Sequence, residues 1–177
     1  PIHGIISLER SIDMENVNVR RPHMTGEELA NTISHGVGAL LAVVGAVPLI
    51  ARPVTAGSAA AVVGMSLYAV SLITLYTASA VYHGTVDPEK KRQRRIMDHC
   101  SIFLLILGTY IPLALLTLGG RLGWMLITVN TLLAVVGIAL KIIDLNRFNK
   151  ISLVLYALMG WLVFPALKTV VAVMPLS

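Results

Sequence analysis

Charge is scarce in this sequence: only 13% of its 177 residues are Asp, Glu, Lys or Arg, against about a quarter in ordinary soluble domains. So few charges cannot cover a packed core with polar surface, which excludes a free-standing soluble domain and makes lipid part of the solvent. Aromatic residues are also few, at 6%, so the 56% hydrophobic content comes from Leu, Val, Ile and Ala. That is the composition of lipid-facing helices. The lone Cys100 excludes an internal disulfide. No cleavable signal peptide is expected, because the first apolar run starts only at Ile33. The chain opens on Pro1, with Met14 and Met24 as plausible starts, and stops at Pro175-Leu176-Ser177 inside an apolar stretch; both ends read as the edges of a partial reading frame.

What is present is long apolar sequence, with a mean hydropathy of +0.80. Five runs, at 33–51, 56–82, 100–120, 122–140 and 151–173, each approach the 20 or so apolar residues needed to cross a bilayer. They predict an all-α fold, a polytopic transmembrane helix bundle over 27–177, behind a polar tail at 1–26 that is expected to be disordered. Thr25, with Glu28 three residues on, marks the first helix start as a capping box. Gly36, Gly38 and Gly45 in the first run, and Ser58, Ala59, Ala60 and Gly64 in the second, are small enough to let helices approach closely.

The net charge of +5 and pI near 9.7 would point a soluble protein towards nucleic acid. Here the cations sit between apolar runs, and orientation accounts for them, so no nucleic-acid partner is expected. Arg10, Arg20 and Arg21, then Lys90, Lys91, Arg92, Arg94 and Arg95, then Lys141, Arg147 and Lys150 all fall on one side if the helices alternate. Only Arg52, Arg121 and Lys168 fall on the other. The positive-inside rule therefore predicts a cytoplasmic N-terminus.

Ionisable groups at membrane depth are costly and are candidates for function. Asn31 and His35 lie early in the first span, Ser79 and His83 end the second, and Asp98 and His99 begin the third. With the N-terminus inside, all fall near the cytoplasmic ends of their helices, in one polar layer. Ser79 and His83 share a helix face one turn apart. An imidazole and a carboxylate from neighbouring helices are half of a zinc site, and a zinc-bound water is a hydrolytic nucleophile. Blander roles stay open: interfacial histidines, an inert thiol at Cys100, and Asp98 as the N-cap of the third helix.

Four ordered motifs carry a resemblance. Glu27-Glu28-Leu29-Ala30-Asn31-Thr32-Ile33-Ser34-His35-Gly36, Ser79-Ala80-Val81-Tyr82-His83, Asp98-His99-Cys100-Ser101-Ile102 with Gly108-Thr109-Tyr110-Ile111-Pro112, and Ala157-Leu158-Met159-Gly160-Trp161 resemble the motifs of bacterial hemolysin III-type proteins. That family is similar to the progestin and adipoQ receptors and, more distantly, to alkaline ceramidases, within a superfamily of membrane hydrolases of the CREST type. The resemblance implies seven helices, of which five are visible here, in a bacterial plasma membrane. It also implies Zn²⁺ near the cytoplasmic face, with His83 as ligand, Asp98 as partner of the zinc-bound water and Ser79 as the motif serine. The relatives' other ligands form an H-x-x-x-H on a seventh helix. No His follows His99 in this sequence, so the zinc site is expected to be incomplete in this chain. Three functions follow: a zinc-dependent hydrolase of lipid amides, a membrane-lytic or pore-forming hemolysin, and a receptor-like or membrane-homeostasis protein with structural zinc. Membrane lipids are the expected partners, one of them as substrate.

Overall fold

The Thr25 side chain accepts a hydrogen bond from the Glu28 N–H at 3.2 Å, satisfying one of the free donors at a helix start. From there helix α1 runs Gly26–Thr55. This computed structural model describes residues 24–173; apart from Met24–Gly26, the expected polar tail lies outside them. Gly57, with φ +68°, takes the left-handed conformation that reverses the chain. Ser58 then caps α2, Ala59–His83. Asp87 caps α3, Pro88–Pro112, by accepting from the Lys90 N–H at 2.9 Å. Beyond Pro112 the helix widens into a π-helical segment, Leu113–Leu118, and the chain turns at Gly119, φ +60°. Helix α4 is Gly120–Ile143 and α5 is Asn149–Trp161. A 3-10 turn, Phe164–Ala166, leads into α6, Leu167–Val173.

Five spans of 24 to 31 residues are long and apolar enough to cross a membrane. At 1.5 Å per residue even the shortest covers about 36 Å, more than the roughly 30 Å of hydrocarbon. Successive helices pack against each other as an up-and-down bundle, and α3 also packs on α5. The register is antiparallel from α1 to α4: Glu28 meets His83, Gly64 faces Pro112 and Arg95 reaches Asn146. Among the described cations, Lys90 to Arg95, Lys141, Arg147 and Lys150 therefore gather at the end of the bundle where α1 begins.

The small residues do not all serve the same purpose. A Cβ on Gly38 would lie 2.7 Å from the Tyr76 ring, and one on Gly64 would lie 3.2 Å from the Pro112 Cα, so these two mark close approaches. Gly36 and Gly45 face open space instead. The tightest contacts involve glycines outside the first two runs: Gly108 against Ser71, Gly123 against the Ala114 carbonyl and Gly137 against the Phe103 ring. Phe103, Ala134 and Met159 form a buried cluster between α3, α4 and α5. Outside it, large apolar side chains such as Leu40, Val44 and Val135 point outwards, as lipid-facing residues do.

Two elements differ from expectation. The third helix starts at Pro88 rather than near Cys100, because Asp87 caps it and proline at the first helical position gives up only an N–H that has no helical partner. Asp98 and His99 consequently lie in the helix interior, and Asp98 is not its cap. The fifth run is not one continuous helix: it breaks after Trp161, where Pro165 can neither donate nor fit an uninterrupted α-helix. Backbone groups freed at membrane depth must find partners. The Tyr110 hydroxyl of α3 supplies both, donating to the Gly160 carbonyl at 3.0 Å and accepting from the Val163 N–H at 2.9 Å.

Candidate functional site

The polar layer is organised by a residue that serves first as a helix-start acid. Glu28 lies one turn into α1, and its carboxylate reaches across to two other helices. The His83 Nδ1–H donates to Glu28 Oε2 at 2.6 Å, and the Lys91 Nζ donates to Oε1 at 2.7 Å. One carboxylate thus ties the start of α1 to the end of α2 and the start of α3. The capping box expected at Thr25 is half present: Thr25 caps Glu28, while the Glu28 carboxylate engages the neighbouring helices.

His35, two turns further along α1, lies parallel to His83, with ring centroids 5.8 Å apart and planes 6° apart. Tyr76 packs beside His35, and Tyr82 beside His83. The Lys91 ammonium also sits 5.4 Å from the centre of the Tyr82 ring. His35 Nδ1 is buried and has no hydrogen-bond partner among the described residues. The cluster is therefore half-buried, rich in nitrogen and ringed by aromatic faces.

The other expected residues lie close in sequence but differ in setting. Ser79 is buried one turn before His83. Asn31 is half-buried, and its backbone carbonyl accepts from Ser34. Among the described residues, no hydrogen bond or ion pair joins the Asp98 carboxylate to His83 or His35. The His99 carbonyl accepts from the Tyr156 hydroxyl of α5 at 2.8 Å, while its ring Nδ1 is buried and unpartnered. Nearby, Lys141 is fully buried, and its Nζ donates to Asn149 Oδ1 at 3.1 Å.

The His83–Glu28 pair suits a metal ligand, because ligating imidazoles commonly donate their second ring N–H to a carboxylate. It suits one ligand only. Among the described residues no group of three or more His, Cys, Asp or Glu side chains is gathered to hold a metal, whereas a catalytic zinc takes three protein ligands. Glu28 and Lys91 were not singled out as site residues by sequence reasoning. The available signal was topological: an acid opening the first span and a cation opening the third must meet at the same membrane face.

Five antiparallel apolar spans closed at one end by a His–Glu–Lys cluster define a polytopic helical membrane protein. Residues 24–177 match the family model described as Haemolysin-III related, and the chain belongs to that family. It is 42% identical over 149 residues to Hemolysin-3 of Bacillus cereus, a match covering 84% of this chain and 68% of that protein. It is 39% identical over 146 residues to the Hemolysin-3 homolog of Bacillus subtilis (strain 168), covering 82% and 68%. No solved structure matches the chain.

Proposed function

We propose that this is a multi-pass protein of the bacterial plasma membrane, with its N-terminus in the cytoplasm, whose working group is the Nε2 atom of His83, and that its activity is hydrolysis of a lipid amide. The observation supporting this reading is the 2.6 Å contact of His83 Nδ1 with Glu28. A carboxylate that accepts the Nδ1 proton leaves the lone pair on Nε2 and fixes the ring's orientation. Lys91 holds the same carboxylate from α3, so ring, carboxylate and ammonium are aligned before any substrate arrives.

A zinc ion, where bound, would supply a water acidic enough to attack an amide at neutral pH. His83 would be one of its ligands. Within this chain Asp98 takes up a proton, and Ser79 donates a hydrogen bond to the substrate's carbonyl oxygen. The amide class rests on the resemblance to alkaline ceramidases; the cluster's place at the ends of the spans, where a lipid's linkage region meets its head group, is compatible with such a substrate.

The test is metal content and turnover measured together. This chain by itself should bind zinc weakly at most, whereas a version that also carries the relatives' H-x-x-x-H should hold zinc that falls at least severalfold in His83→Ala and partly in Glu28→Gln, with helicity retained. Undiminished zinc in His83→Ala overturns the ligand assignment. Cleavage of a ceramide-like amide should be lost in Ser79→Ala and Asp98→Ala. Lysis of red cells by purified protein, unaffected by all four substitutions, would support instead the lytic activity that the relatives' name carries.

A further inference from the structure

At the same end of the bundle, a cleft of about 680 Å³ opens between the end of α2, the start of α3 and the end of α4. Its α3 wall presents Lys91, Arg92 and Arg95, and its α4 wall presents Ile142 and Ile143. Lys91 is already shared with Glu28. Arg92 and Arg95 meet no carboxylate at ion-pair distance among the described residues; Arg95 reaches Asn146 Oδ1 at a long 3.4 Å. The one acid lining the cleft, Asp144, is engaged locally: its Oδ1 accepts from the backbone N–H groups of Asn146 and Arg147, both at 3.0 Å. Among the described residues the cleft therefore holds two uncompensated guanidinium groups.

The opposite wall is of a different kind. Ile142 is 64% exposed and Ile143 71% exposed, and both end a membrane-crossing helix, so they lie where acyl chains begin. A ligand that satisfies both walls carries negative charge at its head and hydrocarbon behind it. We propose that this cleft seats the phosphate head group of an anionic phospholipid, with its acyl chains running along Ile142 and Ile143. Guanidinium forks match phosphate oxygens in pairs, and basic pockets between helix ends at the cytoplasmic face suit acidic lipid heads. Positive-inside bias accounts for the number of cations at this end. It does not account for the convergence of two unpaired arginines on a cavity with an apolar flank. The proposal is independent of the hydrolase reading, since neither arginine belongs to the His83 cluster.

Native mass spectrometry of the detergent-purified chain, titrated with phosphatidylglycerol or phosphatidylcholine, tests it. Phosphatidylglycerol should be retained in preference to phosphatidylcholine. Arg92→Gln with Arg95→Gln should weaken that retention by about tenfold, whereas Lys90→Gln with Lys150→Gln, exposed cations outside the cleft, should leave it unchanged. Arg92→Lys with Arg95→Lys should keep part of the binding, because the charge remains while the paired guanidinium contacts are lost, which separates lost charge from lost folding. Equal losses from both pairs of Gln substitutions would reduce the effect to general surface charge and overturn the site. Equal retention of the two lipids, or displacement of phosphatidylglycerol by millimolar inorganic phosphate, would overturn the lipid assignment.

Discussion

At the scale of the residue, Glu28 shows how one side chain acquires a second role. Its distance of three from Thr25 reads as a cap, and Thr25 does cap it. Its ion-pair partners lie 55 and 63 residues away, beyond any local spacing rule, so they are invisible until the helices are stacked in register. His83 was legible as a candidate because a histidine ending an apolar run is costly; the carboxylate it contacts was not. The expected outcome is specific to the ring. ¹⁵N spectra of His83 should show a protonated Nδ1 and an unprotonated Nε2, and Glu28→Ala should shift the ring towards a mixture of tautomers. An unchanged spectrum would remove Glu28 from that role. A second prediction concerns Asn130, which is fully buried with an unpartnered Oδ1. Asn130→Leu should leave stability unchanged or raise it by about 1 kcal/mol, since loss of the unpartnered acceptor offsets the Nδ2 hydrogen bond to the Leu126 carbonyl and the bulk of the larger side chain. A loss of stability would mean that the oxygen has a partner.

At the scale of the element, all five spans were legible, because runs of apolar residues announce membrane helices more clearly than any other pattern. Their ends were less so. The apolar run at 100–120 marks the lipid-embedded part of α3, but the helix extends back through Lys90 to Arg95 to its cap at Asp87, since lysine and arginine are good helix formers that hydropathy discounts. The break at Pro165 shows the converse, where a continuous apolar run conceals a discontinuous helix. Tyr110→Phe keeps the ring but removes the hydroxyl that serves Gly160 and Val163. It should cost about 1–3 kcal/mol, measured by reversible unfolding in mixed micelles. Phe103→Ala empties the centre of the α3–α4–α5 cluster and should cost more, about 3–5 kcal/mol. If Tyr110→Phe is neutral, the broken helix is satisfied by other means.

At the scale of the whole molecule, the bundle is asymmetric in charge, and that asymmetry predicts its orientation. A cysteine placed at Lys150, in a Cys100→Ser background, should react with an impermeant maleimide only after the membrane is opened. One at Arg121 should react in intact cells. The reverse pattern would invert the bundle and move the His83 cluster to the outer face. Alternation of the spans was legible from cation placement alone; the contact of α3 with α5 was not, because it depends on Tyr156 reaching the His99 carbonyl and packing its ring against Phe103.

The span of sequence between Glu28 and Lys91 also sets a clock. The two are 63 residues apart, so a ribosome adding about 5–20 residues per second needs several seconds to deliver the ammonium after the carboxylate. During that interval the first two helices can already be in the membrane as a hairpin, with the acid facing water. Its closure onto Lys91 then reports that the third helix has been inserted in the correct direction, because a lysine delivered to the far side of the bilayer could never reach it. The salt bridge is thus a record that the first three spans have been placed in register.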